Sequence, residues 1–454
     1  MPTNENPLGR PITRRGLLAA AALAGVGSSA VLTACAGGSA GGTSSAGGKD
    51  GAGGAGGAGG KGGTVTWASW ANPGEAERFR QISKDYEAAH GTKVTFQVVV
   101  GDYGAKLLTQ LAGSSAPDVF YVQDSGMQRL IQNKKVADFT EFTAKADAPV
   151  KIDDLYPNLM GWCKPADGSP GTYGLVVDCN PIVFWFNKDM CEAAGITQNP
   201  AQLHESGGWN RDAVDDFLTK IKATGKRGMI LEGGFGPMLS WMTAFGGKVV
   251  EGNKMIFNED AKSMETLEWL WEGMAGGKIT YGGSLPKGQA IDALFYSQQL
   301  ASCQVGRWIL PNLKKLKFGY DIAPFPSADG KTVPPAIVYT AAMAVNANAK
   351  DPEAAMYFAT RFVSKDGQKA RLSGGGNAVP AIAGLDEVVM ENKQPEHCAW
   401  FTEAAKKGYA IPSAIASKAE VGANLGTEMD KSIKAGDSAK VWADKICKFI
   451  NNGK

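Results

Sequence analysis

The sequence predicts an α/β protein of two lobes, each built on a sheet flanked by helices, set behind an export leader. Three observations predict it. Stretches with strand and helix character alternate at short intervals from Thr64 onward, the rhythm of βαβ units. Residues 64 to 454 are too many for one hydrophobic core and divide into two. The residues before Thr64 pass from basic to apolar to glycine-rich, with no pattern that builds a core.

Thr13-Arg14-Arg15-Gly16-Leu17-Leu18 precede an alanine-rich apolar run to Ala24 and small residues up to Cys35. A basic region, a short apolar region and a small-residue cleavage site make residues 1–34 an export signal. The paired arginines resemble a twin-arginine signal, which the general secretory path also tolerates. Leu32-Thr33-Ala34-Cys35 resembles a bacterial lipobox, so Cys35 is the expected lipid attachment site. A transmembrane helix is disfavoured, because Gly16, Gly25, Gly27, Ser28 and Ser29 interrupt a stretch already short of the ~20 apolar residues a span needs. Residues 36–63 are almost wholly Gly, Ala, Ser and Thr and read as a flexible tether reaching ~30 Å. Gly51, Gly53 and Gly56 fall in a dinucleotide-binding pattern, but no strand precedes it and no helix follows.

Beyond the tether, Thr64–Trp70 is β-branched and aromatic and reads as a strand. Glu75–His90 carries Phe79, Ile82 and Tyr86 at helical spacing, with Gly91 as its stop. Lys93–Val100 is the next strand, and Asp102 caps a helix bearing Leu107, Leu108 and Leu111. Pro117 ends that helix, Asp118–Val122 is a third strand, and Ser125 opens a helix through Leu130 and Ile131. In parallel sheets of this kind ligands sit beyond the carboxyl ends of the strands. Those ends are Trp70, Gly101-Asp102-Tyr103 and Gln123-Asp124.

The chain carries a net charge of +2, and the leader, with three arginines against one glutamate, accounts for it. A near-neutral mature protein lacks the basic face that nucleic acid requires. Besides Cys35 there are six cysteines, without a Cys-x-x-Cys, and three separated histidines, His90, His204 and His397. Zinc and iron–sulfur sites are therefore disfavoured, and no cofactor is expected. The six cysteines permit three disulfides in an exported protein, or equally six buried thiols. A hydrolase reading lacks Gly-x-Ser-x-Gly and His-Glu-x-x-His. Gly330-Lys331-Thr332 resembles half a phosphate loop, but Phe325 stands where the first glycine belongs, and a turn fits better.

Several segments resemble the bacterial extracellular solute-binding proteins of the carbohydrate-uptake type, relatives of the maltose-binding proteins. They are YEAAHGTKVTFQ (86–97), the stretch 107–142 with Ser115-Ala116-Pro117-Asp118-Val119, and YGLVVDCNPIVFWFNKDMCEAAGI (173–196). GWNRDAVDDFLTKIKATGK (208–226) with Asn210 as helix cap, LFYSQQLASCQVGRWIL (294–310) and DPEAAMYFATRFVSKDGQKARL (351–372) follow in the family's order. The resemblance covers 64 to about 380 and is looser beyond. It implies a type II periplasmic-binding-protein fold, with hinge-linked lobes on mixed sheets closing on a ligand. Lobe 1 is expected in 64–178 plus 336–381 and lobe 2 in 179–335 plus 382–454. The crossings are expected near Val177–Pro181, near Pro334–Tyr339 and after about Ala381. It further implies a monomer, with no catalytic or metal-binding residues, that delivers a sugar to the transmembrane permease of an ABC importer. The anchor at Cys35 would hold it on the outer face of the cytoplasmic membrane of a Gram-positive cell. A non-sugar ligand, or a secreted carbohydrate-active enzyme, is the alternative.

A sugar ring packs its C–H faces on aromatic rings and pairs its hydroxyls with polar side chains. Trp70, at the first strand's end, suits stacking and core packing equally. Asp124 is expected to bind hydroxyls where relatives place a carboxylate, and can also cap the following helix. Asp178 and Asn180 fall at the first crossing. The loop Glu232–Pro237 supplies Phe235 and leads to Trp241, which can equally be helix core. Trp308, in Gly306-Arg307-Trp308, matches a stacking tryptophan of the second lobe, and Tyr339 follows the second crossing; Tyr339 and Trp400 are weaker candidates. Trp67, Trp269 and Trp271 are expected to pack in the core.

Overall fold

The computed structural model describes residues 63–286 and 289–453. The leader, Cys35 and residues 36–62 lie outside them. Among the described residues no helix is long and apolar enough to cross a membrane.

The described strands are β1 (Thr64–Ser69), β2 (Lys93–Val98), β3 (Val119–Gln123), β4 (Leu175–Pro181), β5 (Val183–Asn187) and β6 (Arg227–Leu231). There follow a short hairpin of β7 (Val250–Glu251) and β8 (Lys254–Met255), then β9 (Ile279–Tyr281), β10 (Leu300–Val305), β11 (Tyr320–Ala323) and β12 (Val338–Val345). They form two five-stranded sheets, ordered β2-β1-β3-β12-β4 and β11-β5-β10-β6-β9. Both sheets are mixed. In the first, β1 is parallel to β2 and β3, while β12 runs antiparallel to β3 and β4. In the second, β10 is parallel to β6 and antiparallel to β5.

Local chemistry sets the helices. Asn72 and Glu75 make a reciprocal capping box, with Pro73 at the first turn, so Pro73–His90 starts two residues before the expected Glu75. Gly91 closes it in the left-handed region at φ 68°. Asp102 and Asn210 cap their helices through Ala105 N–H and Ala213 N–H. The third expected helix begins at Asp124 rather than Ser125, with Gln123 in the cap position and no side-chain cap bond. The late segment 351–372 breaks at Ser364 into Pro352–Val363 and Lys365–Leu372. Gly330-Lys331-Thr332 is a turn, its Lys331 and Thr332 N–H groups donating to Asp329.

Trp67 is fully buried beneath Pro73–His90, and its indole N–H donates to Ser83 Oγ. Trp269 packs on Trp241, and Trp271 on Trp442. All six described cysteines are buried and unpaired, so they act as small apolar side chains.

β4 and β12 cross between the sheets side by side. Asn180 lies opposite Tyr339 and Pro181 opposite Val338, and Ile182 N–H donates to Ile337. Tyr409 adds a third strand of backbone, exchanging hydrogen bonds with Ala336 and Val338. Between Ala381 and Tyr409 the chain touches both halves. Ile382 bridges to Leu155, while Phe401 packs on Trp185 of β5.

Candidate functional site

A cavity of about 610 Å³ opens where the crossings meet the carboxyl ends of β1 and β3. Its floor comes from the first sheet and the turn after β1. Its opposite wall comes from the helix Phe235–Ala244, the turn at Trp308 and the helices Ser413–Ala416 and Ala419–Lys434.

The floor is polar. Asp124 heads the helix Asp124–Gln132, and its carboxylate accepts from Ser125 N–H at 2.7 Å. Burial pushes its pKa up to about 6 against that hydrogen bond. Arg371, almost wholly buried, pairs with Asp178 and donates to Val177 O, while its guanidinium lies 5.0 Å from the Phe362 ring centroid. Asp178 thus already has a partner. Glu75 accepts from Asn377 and from Asn72 N–H. Tyr121 OH and Thr340 Oγ1 are buried in the cavity lining with no hydrogen-bond partner among the described residues. Such groups are costly unless something in the cavity bonds to them.

The wall is aromatic and aliphatic. Trp308 is 37% exposed, with its ring 6.1 Å from Tyr339. It lies across Gly306, where any side chain would collide with the indole and with Asn180. Asn180 fixes the same turn by accepting from Arg307 N–H at 3.1 Å. Burial raises the Tyr339 phenol well above its ordinary range. Phe235, Ile411, Ile415 and Leu425 complete the wall. Trp70 sets its edge against Tyr103 and Tyr121 at 5.0 and 5.3 Å, so it packs and lines the cavity at once.

The structure therefore brings Trp70, Asp124, Asp178, Asn180, Phe235, Trp308 and Tyr339 together at one cavity. It does not bring Trp241, which is 0% exposed in the second core, edge-on to Phe325 and against Trp269. Trp400 also lies elsewhere, stacked on His397. Sequence reasoning missed Asn72, Glu75, Tyr121, Thr340, Arg371 and Asn377. The Asn72-Pro73-Gly74-Glu75 capping signal was legible and marks the turn beyond β1. Arg371 and Asn377 carry no local signal, because distant packing delivers them.

The pattern of the family described as bacterial extracellular solute-binding protein matches residues 70–369. No curated protein sequence matches the chain. Among solved structures, an ABC substrate-binding protein of Listeria monocytogenes in complex with cycloalternan is 19% identical with a TM-score of 0.71, covering 86% of this chain and 98% of that one. A solute-binding protein of Thermotoga lettingae bound with α-D-tagatose is 17% identical with a TM-score of 0.68, covering 86% and 99%. A receptor of Streptomyces glaucescens, solved unliganded and with acarbose, is 18% identical with a TM-score of 0.67, covering 86% and 98%. At such identities the likeness is one of fold. The family pattern spans most of the globular chain, and the chain belongs to the bacterial extracellular solute-binding proteins.

Proposed function

We propose that the protein captures a sugar in this cavity and delivers it to the permease of an ABC importer. The observation that carries the reading is the pairing of an aromatic wall with a polar floor in which Tyr121 OH and Thr340 Oγ1 have no partner among the described residues. That combination suits a ligand with apolar ring faces and a rim of hydroxyls. The ligands bound in the three similar structures, cycloalternan, tagatose and acarbose, are of this chemistry. Trp308 and Tyr339 would stack on a ring, Asp124, Tyr121 and Thr340 would bond hydroxyls, and Asp178 would hold Arg371 in place.

The lobes on this reading are 64–178 with 336–381, and 179–335 with 382–454. They close about the paired strands at Asn180 and Tyr339, and ligand favours closure by touching both lobes. The reading includes a lipid at Cys35 that keeps a monomeric receptor beside its permease on the outer face of the membrane. The test is a titration of the mature chain with mono- and oligosaccharides, followed by tryptophan fluorescence and product analysis. A saturable change with one sugar and no turnover supports it, while steady product release sinks it.

A further inference from the structure

Outside the cavity, the helix Ala399–Lys407 is gripped at both ends by different halves of the molecule. At its C-terminal end, Asn158, which follows β3 in the first half, donates to Ala405 O at 3.1 Å and Gly408 O at 2.7 Å. The next residue, Tyr409, joins the crossing strands, and Ile411 and Ile415 beyond it form part of the cavity wall.

At the N-terminal end the grip is ionic. His397 N–H and ring Nδ1 both face Asp321 of β11, at 3.2 and 2.7 Å. Ring Nε2 faces Glu205 at 3.2 Å, on the helix Pro200–Ser206. Trp400 stacks on the His397 ring at 4.5 Å and meets His204 edge-on. The other charged groups here are Lys188, paired with Glu396 at 3.3 Å, and Asp329, which acts on His204.

Each ring nitrogen of His397 thus meets a carboxylate. Only the doubly protonated ring donates to both, and its charge offsets Asp321, which is 1% exposed and otherwise accepts from the backbone N–H groups of Ile322 and His397. A neutral ring leaves one lone pair facing a carboxylate.

We propose that His397, set between Asp321 and Glu205, is a proton-operated latch: it ties the helix Ala399–Lys407, which Asn158 also holds to the first half, to β11 and the helix Pro200–Ser206, and so biases the lobe arrangement. The pKa of His397 is raised: burial lowers it, but its bonds and charge interactions with Asp321 and Glu205 outweigh that. A histidine raised in the folded state contributes stability that is complete below its unfolded value and is lost as pH rises through the folded value. The latch therefore holds below the ordinary histidine value and opens as pH rises through the raised one.

The test uses ligand-free mature protein treated with chelator. NMR titration reads the three histidine rings, and His397→Gln identifies the signal of His397. Spin labels at Arg80→Cys and Asp212→Cys, on exposed helix positions, read the distance between lobes. The expected result is that His397 titrates above the ordinary histidine value and His90 and His204 below it. The wild-type distance distribution shifts between pH 6 and pH 9 along the His397 curve. His397→Gln abolishes that shift, and Glu205→Gln moves both midpoints down together without touching a core residue. If His397 titrates at or below the ordinary value, or the wild-type distributions at pH 6 and pH 9 coincide, the latch is refuted. Neither outcome bears on sugar binding, because no ligand is present.

Discussion

Replacing Asp124 by asparagine perturbs the cavity at its most exposed physical tension. The carboxylate is desolvated, with its pKa near 6, and no basic side chain figures among the groups that shift it. In the folded, ligand-free protein its raised pKa works against stability. That cost is absent below the unfolded value near 3.8 and grows in as pH rises through about 6. Two pKa units correspond to at most about 3 kcal/mol, reduced to about 1–2 kcal/mol by solvent at a partly exposed group. Asp124→Asn should therefore raise the Tm of the ligand-free protein at pH 8 and leave it nearly unchanged at pH 3. Ligand affinity should move the other way. Losing a charged acceptor costs about 1.5–3 kcal/mol, a weakening of at least about tenfold. Wild-type Kd should rise about tenfold from pH 7 to pH 5, as the carboxylate must first lose its proton. The same titration in a His397→Gln background separates this limb from any titration of His397. Calorimetry at pH 5, 6, 7 and 8 on both proteins reads all of this. A wild-type Kd independent of pH, or an Asp124→Asn Kd within threefold of wild type at pH 8, refutes the reasoning.

Trp308→Ala should weaken sugar binding by about 1–3 kcal/mol while leaving Tm nearly unchanged, since the ring is already 37% exposed; comparing calorimetry with thermal melts checks both halves. Trp241→Ala should do the opposite, lowering stability by about 3–5 kcal/mol in denaturant titration with little change in Kd for the folded protein. Thiol titration of residues 64–454 should count none of the six buried cysteines in the native state and all six after unfolding without reductant. A count of four or fewer on unfolding would mean that disulfides form.

The parts of the fold legible in the sequence are those decided locally. Asp102, Asn210 and Gly91 end their helices through bonds or backbone angles involving their own neighbours. Trp70 and Asp124 were found because strand ends place side chains by topology. Trp241 was misplaced by an ambiguity of helical geometry. It lies six residues after Phe235, about 240° round the helix, so the face that presents Phe235 to the cavity turns Trp241 into the core. Arg371 and Leu425 were invisible because only long-range packing brings them to the cavity. The cysteines were undecided because an even count fits both bonding and burial. Their placement apart in the core, Cys179 in β4 and Cys303 in β10, settles it.

A crystal structure of the mature chain with the sugar selected by the fluorescence screen tests the central claim most directly. The account predicts one pyranose or furanose ring lying on the Trp308 face, with hydroxyls within hydrogen-bond distance of Asp124 and of Tyr121 or Thr340. A ligand bound outside this cavity, or one that touches neither Trp308 nor Asp124, contradicts it.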